Sequence, residues 1–97
     1  MFSTDKKIKS TAIEGLSVQK LFVSESAETL LITLENGHVF PKHTSPRDAF
    51  LVMLEGSVIF TIQDTEYALT CSDSFTFPAE EPHVVHAKEN SKFLIIR

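Results

Sequence analysis

Cysteine occurs once in this chain, tryptophan not at all, and no apolar run approaches the length of a membrane span. Each absence closes a class of protein. A lone Cys71 makes no internal disulfide and fits a reducing compartment. With no activating base assignable to it, Cys71 reads as small apolar filler at a strand end rather than as a nucleophile. A bilayer-crossing helix needs roughly 20 consecutive apolar residues, so no membrane partner is expected. Residues Met1-Phe2-Ser3-Thr4-Asp5-Lys6-Lys7 lack the apolar stretch of a secretion signal, which makes the cytoplasm the expected location. Basic charge is also short: the net charge is −4 and the only basic cluster is Lys6, Lys7 and Lys9, so nucleic acid is not an expected partner. No window keeps a helical period for three turns, which excludes a substantial helix.

What remains is a run of short strands. Residues 1–14 are polar with isolated Ile8, Ala12 and Ile13, and read as an arm whose later part adds an edge strand; residues 15–97 form one domain. Leu30, Ile32 and Leu34 alternate onto one face before the turn dipeptide Asn36-Gly37, and Val58, Phe60 and Ile62 do the same between two further turns. Pro41 and Pro46 place the segment between Gly37 and Ala49 at an edge or a bend, because proline donates nothing to a ladder. Ala49 to Leu54 is continuously apolar and reads as a strand buried on both faces. Short strands at regular spacing, each followed by turn residues, predict an all-β antiparallel sandwich or barrel.

Two motifs refine this. Gly37 is followed after five residues by His43-Thr44-Ser45, after three more by Ala49 and after six more by Gly56. Ser72 is followed after five residues by Pro78, then by Glu80, His83 and Ala87 at fixed intervals. The spacing resembles the paired motifs of the cupins. Gly37, His43, Gly56, Pro78 and His83 match in kind, whereas Ser45, Ala49, Ser72, Glu80 and Ala87 stand where that family has His, Glu, Gly, Gly and Asn.

The resemblance implies a double-stranded β-helix, or jelly-roll barrel, with His43 and His83 pointing inward. Alternation then places Ser45, Ala49, Leu51, Met53 and Val85 on the same inner face, and an inward subset of the phenylalanines, Phe60 and Phe77 among them, beside the two imidazoles. Such an apolar cleft with two polar handles has the make-up of a site for a small organic or sugar-like ligand. In the family the inner face holds a divalent metal (manganese, iron, nickel or zinc) on three His and one Glu. Here His43 and His83 supply two ligands, and a third would have to come from Asp48, Glu80, Glu81 or His86. Three functions stay open: a ligand-binding barrel with a reduced or absent metal site, a metal-dependent enzyme of the dioxygenase or isomerase type, and a structural or regulatory dimer. The opposite face, with Phe50, Val52 and Leu54, needs cover that a second copy would provide, so a homodimer is expected.

Overall fold

The computed structural model describes residues 1–97. A single helical turn, α1 (Lys7–Ser10), precedes nine strands: β1 (Leu16–Val23), β2 (Glu28–Leu34), β3 (Val39–His43), β4 (Ala49–Glu55), β5 (Ser57–Ile62), β6 (Thr65–Thr70), β7 (Ser74–Phe77), β8 (His83–Ala87) and β9 (Ser91–Ile96). All pairings are antiparallel, in a five-stranded sheet ordered β1-β2-β9-β4-β7 and a four-stranded sheet ordered β3-β8-β5-β6. The inward residues of both sheets form one core of 15 buried side chains, with Leu34, Leu51, Val58 and Phe60 at its centre. This is the jelly-roll barrel that the resemblance implied. No helix is long and apolar enough to cross a membrane.

Three expectations need correction. The arm contributes no strand: after α1 it runs irregularly to β1, which itself forms the sheet edge. It crosses the outer face of the five-stranded sheet, where the Lys92 ammonium donates to the Ile8 carbonyl (2.6 Å) and the Thr11 hydroxyl to Gln19 Oε1 (3.1 Å). Lys92 stands opposite Thr33, and Gln19 opposite Leu31, so the arm covers β2 and buries its outer face as well as its inner one. Conversely β4 is buried on one face only. Ala49, Leu51 and Met53 point into the core, while nothing overlies Phe50, which is 41% exposed. Cys71 is exposed in the turn after β6 rather than packed as filler.

The turns explain the motif spacing. Gly37 and Gly56 adopt φ of +84° and +86°, and Ser72 and Glu80, which replace glycines of the family pattern, adopt +74° and +64°. All four positions therefore keep the left-handed backbone that glycine favours, two of them with a side chain that works against it. At Gly56 the constraint is also steric, because a Cβ there would lie 2.7 Å from Ser91 Cα.

Candidate functional site

The two sheets part around a cavity of about 230 Å³. His43 ends β3 and His83 begins β8, and the two stand opposite each other in the ladder. The pairing slips between Phe40 and His43, where Pro41 interrupts it on this edge strand. Each ring is then fixed from behind by its own chain: His43 Nδ1 lies 2.6 Å from the Pro41 carbonyl and His83 Nδ1 3.0 Å from that of Glu81. Aromatic rings hold them from the sides. His43 stacks on Phe40 (4.0 Å between centroids), and His83, only 3% exposed, stacks on Phe60 (5.1 Å) with Phe77 against it at 4.6 Å.

This arrangement leaves a hydrogen short. A carbonyl only accepts, so each Nδ1 must carry its proton and donate, and a neutral ring then presents Nε2 as a bare acceptor. The two Nε2 atoms face each other at 3.0 Å. Burial among the aromatic rings pushes the pKa of His83 below its ordinary value, the Glu81 carbonyl opposes that, and the neighbouring His43 adds to the lowering. Two bare lone pairs at that separation repel each other, so the contact calls for one proton, held between the rings or supplied by a donor from the cavity.

The cavity lining carries one charged residue, Arg97. Phe93, Ile95 and Arg97 alternate onto the inner face of the last strand and its extension, and Arg97 pairs through its backbone with Glu28 at the start of β2. Its Nε donates to Glu28 Oε2 (2.9 Å), and Nη1 reaches Ser45 Oγ at 3.5 Å. The guanidinium holds the Glu28 carboxyl below its ordinary pKa, with Lys20 assisting at 3.4 Å. Ser45 is buried and its hydroxyl donates to the Arg47 carbonyl (2.7 Å).

Of the residues expected to line the site, His43, Ser45, Phe60, Phe77, His83 and Val85 do so. Ala49, Leu51 and Met53 do not: they face inward as alternation requires but lie within the packed core beneath the cavity. Val18, Phe40, Phe93, Ile95 and Arg97 also line it, and sequence reasoning missed them. A signal existed for three, since Phe93, Ile95 and Arg97 share one strand face.

The family model for the cupin domain matches residues 30–96. The chain belongs to the cupin family. Among solved structures, this cupin is similar to an RmlC-like cupin from Desulfovibrio desulfuricans (19% identity, 99% of this chain and 95% of that one, TM-score 0.86). It is similar also to an RmlC-like cupin with a double-stranded β-helix fold from Methanocaldococcus jannaschii (22%, 100% and 91%, TM-score 0.82), and to KdgF from a Halomonas species (18%, 89% and 81%, TM-score 0.78). At these identities the likeness is one of fold. No curated protein matches the chain.

The residues present do not fit the metal that the family's complete motif would hold. Ala49 has no donor atom, the Ser45 hydroxyl is turned to a carbonyl, and the Arg97 guanidinium stands beside the position of the second imidazole. Asp48 instead accepts the Ala79 amide (2.9 Å), and Glu80 and His86 are exposed. No group of three His, Cys, Asp or Glu side chains converges anywhere in the chain.

Proposed function

We propose that this cupin is a receptor for a small, ring-sized organic ligand that enters the barrel and gives a hydrogen bond to the His43–His83 pair. One observation carries the reading: the Nε2 atoms of half-buried His43 and buried His83, 3.0 Å apart and short of one hydrogen, lie at the wall of a cavity whose other walls are largely apolar. A cavity of about 150 Å³ holds benzene. The 230 Å³ here leaves room for one ring and a polar substituent, and is below the roughly 300–1,000 Å³ of drug-sized sites. The apolar lining favours an aromatic or alicyclic body over a sugar, whose hydroxyls would lose water without finding partners. No bond-making step is assigned to the site.

Phenol and fluorobenzene test this, being similar rings with and without a donor. Calorimetric titration is expected to give saturable phenol binding at least several-fold tighter than fluorobenzene, with the difference erased in His43→Phe. Equal affinities, or no binding of either, would refute the reading. The metal-dependent alternative lacks a third donor. Metal analysis of protein purified without chelator separates it, since near-stoichiometric metal that vanishes in a His43→Ala, His83→Ala double variant would favour an enzyme. We also propose a homodimer, supported by the apolar Val18, Phe22 and Val23 exposed on edge strand β1, with sedimentation as its test.

A further inference from the structure

We propose that the ligand carries a carboxylate, bound by Arg97 where its guanidinium meets Ser45 at the cavity wall. This rests on the receptor reading above and adds the chemical class. Among the 14 residues that line the cavity, Arg97 alone is charged and none is acidic. Its side chain is held rather than free: Nε is committed to Glu28 at 2.9 Å, and the backbone of Arg97 is locked to that of Glu28 by two ladder bonds.

The outer edge of the guanidinium is under-used. Nη1 and Nη2 bring four N–H groups, for which the only protein acceptor within reach is Ser45 Oγ at 3.5 Å, and that oxygen already has its own proton on the Arg47 carbonyl. A planar fork with free donors at the edge of an apolar cavity suits a planar oxyanion better than any neutral group. The local charge agrees. Glu28 is shared between the Arg97 guanidinium and the Lys20 ammonium, so among these three side chains the basic groups outnumber the acidic one.

The histidine pair is short of one hydrogen, which a second carboxylate cannot supply, so a monocarboxylate with an aromatic or alicyclic body fits and a dicarboxylate does not. A cationic ligand is disfavoured throughout, since the one nearby carboxylate is already engaged by two cations.

Benzoate and benzamide are planar near-isosteres that differ in charge, and calorimetry compares them at low ionic strength. Benzoate is expected to bind about tenfold tighter or more, as hydrogen bonds to charged groups generally outweigh neutral ones. Arg97→Gln, checked for a cooperative urea transition, is expected to abolish the preference for benzoate over benzamide. Glu28→Gln removes the competing carboxylate and is expected to tighten benzoate several-fold, which a purely structural Arg97 would not produce. Equal binding of the two probes, or a benzoate preference that survives Arg97→Gln, would overturn the carboxylate assignment while leaving the receptor reading intact. If phenol, benzamide and benzoate all fail to bind, the receptor reading falls and this inference falls with it.

Discussion

Restoring glycine at Glu80 and Ser72 is expected to stabilise the protein, although it adds no contact. Both residues hold a left-handed backbone, φ +64° and +74°. For an L-residue that conformation costs roughly 1–2 kcal/mol, while glycine's extra freedom in the unfolded chain takes back about 0.5–1 kcal/mol. The difference leaves about 0.5–1 kcal/mol of stabilisation per site. Little is lost with the side chains. Glu80 is exposed and its side chain makes no hydrogen bond, and the Ser72 hydroxyl meets only Cys71 Sγ at 3.7 Å. The backbone bonds of the two turns, Glu80 N–H to Ser45 and Ser72 N–H to Met53, do not depend on the side chain. Because the sites lie on different turns, the double variant should gain about 1–2 kcal/mol, a rise in Tm of the order of 4–12 °C for a domain of this size. Urea unfolding provides the measurement, read as a higher midpoint at constant slope. Ser74→Gly is the control, since Ser74 is exposed in strand β7 at an ordinary φ and glycine there should cost about 0.5–1 kcal/mol. Destabilisation by Glu80→Gly and Ser72→Gly equal to that of Ser74→Gly would refute the strain argument.

Gly56→Ala is expected to destabilise by more than about 2 kcal/mol, since strain at a positive φ adds to a clash with the Ser91 backbone; urea midpoints check this. The lowered pKa of His83 sets a pH dependence. The folded state binds that proton less readily than the unfolded chain, whose histidine titrates near 6.5, so the contribution of His83 is fully present above about pH 6.5 and lost as the pH falls through that value towards the lower folded pKa. His83→Phe, which keeps the packing against Phe60 and Phe77, is expected to flatten the stability profile between pH 5 and 7. An unchanged slope would show that other groups govern the window.

Much of the barrel was legible because its inner face is written as alternation. Val58, Phe60 and Ile62 face inward as their period requires, and Pro41 marks the edge strand by its missing donor. Burial on the outer faces was not legible, because it depends on what lies across them. The continuous apolar run of β4 suggested two covered faces yet has one, whereas β2 gained its second cover from an arm whose polar sequence gave no hint of it. The site divided along the same line. His43 and His83 could be placed by motif register, and the face of Ala49, Leu51 and Met53 by alternation, but not the depth at which side chains fill the barrel. Arg97 continues the stripe of Phe93 and Ile95, but a cation belongs to no metal-ligand pattern, so the motif register does not point to it.

The receptor reading is tested most directly at the imidazole nitrogens themselves. Long-range proton–nitrogen NMR distinguishes protonated from bare ring nitrogens and follows all four histidines during a phenol titration. The expected result is saturable movement of the His43 and His83 Nε2 resonances, with both Nδ1 atoms remaining protonated and the exposed His38 and His86 unmoved. Resonances of His43 and His83 that stay still while phenol binds, or that move no more than those of His38 and His86, would contradict it.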